Sequence, residues 1–112
     1  MDSVLNSIKK LLGIEENYTH FDADITMHIN SVLMTLDQLG IERPMNRNVT
    51  SYTDTWINIF GESSKVDVET LKTYIYLKVR LLFDPPVNAF VLESIDRLIK
   101  EYEWRLNVQA EK

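Results

Sequence analysis

An all-α fold is predicted by three features of this sequence. Apolar residues recur at steps of three and four in four separate segments, which is the period of a helix with a buried face. Three of those segments end on strong helix stops, at Gly13, at Gly40 and at Asp84-Pro85-Pro86. Between the second and third segments the period is lost, but Trp56, Ile57, Ile59 and Phe60 are concentrated enough to require a docked turn rather than a loose linker. The expected architecture is a small bundle of four main helices plus a short helical segment near residues 54–60, closed by a C-terminal helical hairpin. At 112 residues the chain fits one domain, 1–112, with a real core and little room for a separate active-site lobe.

The first helix is expected from Asp2 or Ser3 to Leu12, capped by an acid or hydroxyl, with Leu5, Ile8 and Leu12 on one face and Gly13 as its end. It is short and needs a partner to be stable. The second is expected to have Asp22 as N-cap, Phe21 in a staple-like contact with the first turn, and an apolar line of Ile25, Ile29, Val32, Leu36 and Leu39 before Gly40. From Arg43 to Ser64, Pro44, Asn46, Asn48, Gly61 and the hydroxyl-rich run Thr50 to Thr55 break the pattern.

The next helix is expected from near Asp67 to Phe83. Leu71, Ile75, Val79 and Leu82 form one apolar line and Tyr74, Leu77 and Leu81 a second, leaving mainly Glu69, Thr73 and Arg80 for water. A helix apolar around most of its circumference belongs at the centre of a bundle. The last helix is expected to carry Pro86 in its first turn, where proline is tolerated, and to run to about Asn107. Leu92, Ile95, Ile99, Tyr102 and Leu106 form its inward stripe. Glu93 with Arg97, Asp96 with Lys100 and Glu101 with Arg105 are acid-before-base pairs four apart, the pattern of a solvated face.

Acidic residues outnumber basic ones 17 to 12, for a net charge of −5, and the lysines and arginines are scattered. That is not the electrostatic footprint of a protein that grips nucleic acid. The absence of cysteine removes disulfides, thiolate nucleophiles and Cys-based zinc sites together. Residues 1–12 lack the basic start and apolar run of a signal peptide, and no membrane-length apolar stretch is present. A soluble protein made in a reducing cytoplasm is expected. Asn17-Tyr18-Thr19 and Asn48-Val49-Thr50 match the glycosylation pattern, but without a secretory signal they read as ordinary loop residues.

Candidate chemistry is sparse. His20 or His28 with Asp22 or Asp24 would make a metal site only if further ligands converged, and no His-x-x-x-His or Glu-x-x-His spacing exists. Asp22 and Asp24 as a catalytic pair compete with a simpler role, since acids at a helix start stabilise the positive end of its dipole. The three glycines read as punctuation rather than a phosphate loop, and no serine has triad partners. The expectation is a protein that is not an enzyme, with no cofactor and no metal.

The anomalies are apolar residues on faces that should be polar. Phe90, Arg97 and Trp104 are spaced by seven and lie opposite the inward stripe of their helix. Met27 and Met34 likewise give the second helix an extra apolar line, and Leu106, Asn107 and Val108 carry apolar character into the tail, which would dock or fray. Either the rest of this chain covers these faces, or neighbouring copies or another partner do. On the second account Met27, Met34, Phe90, Trp104, Leu106 and Val108 are the candidate protein-interface residues.

At Met27-His-Ile-Asn-Ser-Val-Leu-Met34, at Tyr74 to Pro86, and at Ile99-Lys-Glu-Tyr-Glu-Trp-Arg-Leu-Asn-Val108, the sequence resembles the small head-tail connector (adaptor) proteins of tailed bacteriophages and prophages. The likeness spans nearly the whole chain in length and helix order and is weakest from Arg43 to Ser64. The family carries no catalytic motif. The resemblance implies a structural virion protein at the head-tail junction. About a dozen copies would form a ring beneath the portal protein and bridge it to the tail or to a completion protein, and the surplus apolar helix faces are compatible with heterologous side-to-side contacts that close such a ring. DNA would pass through the hole without being read, so neither sequence-specific nucleic acid nor membrane is an expected partner. The alternative is a small helical regulatory or antitoxin-like module that binds one protein partner.

Overall fold

The computed structural model describes residues 3–44, 47–62 and 66–111. Asp2 as an alternative helix start, Asn46 as a breaker and Ser64 as a loop end fall outside them. Five helices follow in order: α1 (Val4–Leu12), α2 (Asp22–Gln38), α3 (Trp56–Phe60), α4 (Val68–Phe83) and α5 (Ala89–Glu111). Among the described residues there is no strand, only an isolated bridge between Ser3 and Thr55. The fold is the all-α bundle that the periodicity predicts, with the short segment realised as α3.

Local chemistry explains the boundaries. Ser3 caps α1 by accepting the Asn6 N–H at 3.2 Å. Both α1 and α2 end in a Schellman motif. Gly13 at φ 82° and Gly40 at φ 91° occupy the left-handed position, and the N–H groups of Ile14 and Ile41 reach back to the carbonyls of Lys9 and Leu36 at 2.9 and 3.0 Å. α3 has only five residues and survives by a capping box: Thr55 accepts the Asn58 N–H, and the Asn58 side chain accepts the Thr55 N–H. Asp67 caps α4 through the Thr70 N–H at 3.1 Å.

Two boundaries differ from the sequence expectation. Asp22 is the first residue within α2 and Phe21 is the capping position, with no side-chain cap bond. The Asp22 carboxylate is engaged by Lys9 instead, and the Phe21 ring packs across to Phe83 of α4, 5.2 Å between centroids. Pro86 lies outside α5. The helix begins after Asn88, whose Oδ1 accepts the N–H groups of Phe90 and Val91 at 2.8 and 3.3 Å. At the other end α5 runs past Asn107 to Glu111. Its last turns are held by Asn107 donating to the Leu39 carbonyl at 3.1 Å and by Gln109 accepting the Asp67 N–H at 3.2 Å. The tail therefore docks on this chain's own bundle.

One hydrophobic cluster draws on all five helices. α4 is its centre, in contact with α1, α2 and α5, and it buries Leu71, Tyr74, Ile75, Leu77 and Val79 on two sides. Leu82, expected in the inward line, is exposed because α4 outruns the helices that cover its earlier turns. α2 contributes Ile25, Ile29, Val32, Leu33 and Leu36; α1 contributes Val4, Leu5 and Ile8. Trp56 of α3 closes the base, stacked on Phe60 at 6.1 Å and donating its indole N–H to Ser7 at 3.2 Å.

The connection between α2 and α3 is fixed by polar contacts rather than by helix. Arg43, almost fully buried, grips Asp37 with two charge-assisted bonds of 3.0 and 2.7 Å and also donates to the Arg47 carbonyl. Asn30 bonds both backbone groups of Val49, at 2.9 and 2.8 Å. The buried Asp54 carboxylate accepts from the Thr50 and Ser51 N–H groups, the Thr50 hydroxyl and Arg47. Burial alone would raise its pKa; the Thr50 and Ser51 bonds and the Arg47 charge outweigh that and hold it below the ordinary carboxylate value.

Candidate interaction surface

Of the polar groups that might have carried chemistry, Asp22 and both histidines are engaged in structure, and Asp24 is exposed at the start of α2. Lys9 is fully buried, with its ammonium 2.9 Å from the Glu16 carbonyl, 2.8 Å from the Tyr18 carbonyl and 2.8 Å from Asp22 Oδ1. The two carbonyls accept hydrogen bonds from the ammonium and the Asp22 carboxylate supplies the opposite charge as an ion pair, which is what lets a lysine be buried as a charge. The contact ties the 14–21 loop to α1 and to the start of α2. His20 packs edge-on against Phe21 at 4.8 Å, and His28 lies 6.5 Å from Phe83. Among the described residues no group of three His, Cys, Asp or Glu side chains is placed to hold a metal ion. Nor is any described helix long and apolar enough to cross a membrane.

Several large apolar side chains are nevertheless left on the surface. On α2, Met27 and Met34 are 60% and 63% exposed. They project from one ridge between the small residues Ala23 and Ser31, opposite the buried line of Ile25, Ile29 and Leu36. On α5, Phe90 and Trp104 are 81% and 68% exposed, on the side opposite the buried Ile95, Ile99 and Leu106. The rest of the chain does not cover either ridge. Of the other candidates, Leu106 is fully buried within the core and offers no surface in this fold, and Val108 is half-buried. Their helix continues to Glu111, and the last turns lie against the bundle.

A second apolar area, which the sequence reading did not single out, lies at the hairpin tip. Every residue from Val87 to Ser94 is exposed, including Val87, Phe90, Val91 and Leu92, and Leu82 of α4 and Leu98 of α5 add to the area. The available signal was Val91 with Leu98, spaced by seven beside Phe90, and a valine immediately after two prolines. Monomeric soluble proteins rarely expose apolar groups this densely without a partner for them.

The charges around the α5 ridge are unevenly used. Asp96 pairs with Lys100 at 3.3 Å and Glu101 with Arg105 at 2.9 Å, but the expected pair of Glu93 with Arg97 is not closed. Arg97 sits midway between Phe90 and Trp104 with no partner among the described residues. On α2 the exposed Asp24, one turn before Met27, is likewise unpaired. Beneath the α5 ridge, Tyr74 of α4 is fully buried and donates its hydroxyl to Glu103 at 2.8 Å. Burial, then the bond to Glu103 and its negative charge, push the phenol well above its ordinary pKa.

Exposed aromatics and methionines and an unpaired arginine, set on helices, are residue types enriched where proteins meet. A family model described as phage connector protein matches residues 4–112. No curated protein and no solved structure matches the chain.

Proposed function

The chain belongs to the phage connector protein family, and from that membership we propose that it is a structural ring subunit at the head-tail junction of the virion, joining the portal protein to the tail or to a completion protein. The family match over almost the entire chain carries this reading. The family is structural, and the role proposed is scaffolding without catalysis. A connector subunit needs two surfaces for like neighbours and at least one end for a different protein. Two separate apolar ridges, on α2 and α5, and an apolar hairpin tip between α4 and α5 satisfy that requirement. Heterologous contacts between unlike patches close into rings when the rotation allows it. The net charge of −5 suits a channel through which DNA slides, because an acidic wall does not hold phosphates.

The test is native mass spectrometry and electron microscopy of the full chain, alone and mixed with the portal protein of the same phage or prophage. The expected result is a closed ring on the portal. A chain that stays strictly monomeric and never associates with portal would overturn the proposal, whereas a monomer that assembles only on the portal agrees with it.

A further inference from the structure

Resting on the ring reading above, we infer that one copy's α5 ridge packs in parallel against the α2 ridge of the next copy, with Arg97 of one chain beside Asp24 of the other. Three observations lead to this pairing. Both ridges repeat at seven residues: exposed Met27 and Met34 on α2, and Phe90, the charged Arg97 and Trp104 on α5, where the two exposed rings stand two intervals apart with the arginine between them. Each interval rises about 10.5 Å along its helix, so the two ridges keep step over two turns. Their chemistry is unlike and complementary: flexible thioethers flanked by small Ala23 and Ser31 on one side, large rings on the other. Sulfur against an aromatic ring is a favourable contact.

Charge then fixes the direction. With the helices parallel and Trp104 set against Met34, Arg97 falls level with Met27. Helical side chains lean toward the N-terminus of their own helix, so the Arg97 guanidinium reaches toward Asp24, the unpaired acid one turn earlier. The same register carries Phe90 beyond the start of α2, toward the exposed rings of Tyr18 and His20. In the antiparallel alternative Arg97 meets Met34 and Gln38, and the nearest acid, Asp37, is already held by Arg43 at 2.7 Å. The parallel arrangement brings the unpaired Arg97 and the unpaired Asp24 together, and the antiparallel one does not. Because the two ridges are different surfaces of one chain, each subunit offers one to either neighbour, and the contact propagates around a ring.

The chain has no cysteine, so one introduced thiol per chain is unique. On the assembly formed by the full chain alone at high concentration, or on portal protein, chains carrying Arg97→Cys are mixed with chains carrying Asp24→Cys or Gln38→Cys and treated with a short bismaleimide. The expected result is crosslinking of position 97 to position 24 several-fold above crosslinking to position 38. In parallel, Arg97→Glu and Asp24→Arg are each expected to weaken self-association at least tenfold, and the double variant to recover most of it, while Asp24→Arg also lowers the monomer's thermal melting by a small amount because it removes an acid from the first turn of α2, a loss that the double variant does not recover. Assemblies that crosslink equally or preferentially through position 38, or charge reversals that do not rescue one another, overturn this pairing while leaving the connector reading intact. Failure to assemble under either condition overturns both.

Discussion

The two halves of α5 carry the same apolar stripe and meet opposite fates. In the C-terminal half, Ile99 and Leu106 are buried, Asn107 and Gln109 bond the ends of α2 and α4, and Glu103 accepts the Tyr74 hydroxyl. In the N-terminal half every residue from Ala89 to Ser94 is exposed and Ile95 is the first to be covered. A 23-residue helix is about 35 Å long, whereas α4, the helix it packs on, has 16 residues and is about 24 Å long, so α4 cannot cover all of it. Periodicity decides which side of a helix faces inward, but it carries no information about where the neighbouring helices stop. One half of α5 therefore belongs to folding, and the other is held out rigidly with its apolar groups in water.

The sharpest way to break this division is Leu106→Ala. Leu106 is fully buried, and removing its branched side chain leaves a cavity that rigid helices fill poorly, so a loss of about 2–5 kcal/mol is expected in denaturant unfolding. A loss near zero would mean that the C-terminal half is not anchored as described.

Tyr74→Phe is the next step down, since it keeps the ring and deletes only the hydroxyl bond to Glu103. The expected cost is about 1–2 kcal/mol, in the range for a hydrogen bond to a charged group, reduced because Glu103 can rehydrate. The same bond gives a pH signature. The folded-state pKa of Tyr74 is raised above its ordinary 10.0, so its contribution is fully present below about pH 10 and is lost as pH rises toward the folded value. Wild-type stability should fall more steeply above pH 10 than that of Tyr74→Phe, read from denaturation midpoints at successive pH values. Asp54 works in the opposite direction: its folded pKa is depressed, so its stabilisation holds above 3.8 and fades as pH drops below it.

What the sequence made legible follows from the range of each interaction. The helix positions, the central place of α4 and the outward direction of Phe90, Trp104, Met27 and Met34 rest on periodicity and caps, which are local. The burial of Lys9 and the Arg43 and Asp54 networks are not local, because their partners lie across loops whose path no periodicity describes. A hint was present for Lys9, which sits four residues after Leu5 and beside Ile8, a position where a solvent-facing lysine does not belong. Leu82 and Pro86 were misplaced for the same reason as the tip of α5: both judgements needed the end of the bundle, and the pattern continues beyond it. Leu106 was drawn both into the stripe and into the surface, and the fold puts it in the stripe.

The smallest effect on stability, and the most informative about the outward side of α5, is expected from Phe90→Ala in the exposed half and Trp104→Ala in the anchored half. Both side chains are mostly in water, so truncating either should change monomer unfolding by no more than about 0.5 kcal/mol, as for surface substitutions generally. Assembly should respond differently, because large rings at the centre of an interface carry a disproportionate share of its energy. Each variant is expected to weaken ring formation on the portal by tenfold or more in a sedimentation or mass-spectrometric titration, with Trp104→Ala the more severe since it sits over the anchored part of the helix. A variant that loses stability and assembly together would return that residue to the core and erase the boundary drawn within α5. One that loses neither would leave the exposed ridge without a role in assembly and shift attention to the hairpin tip at Val87 and Val91.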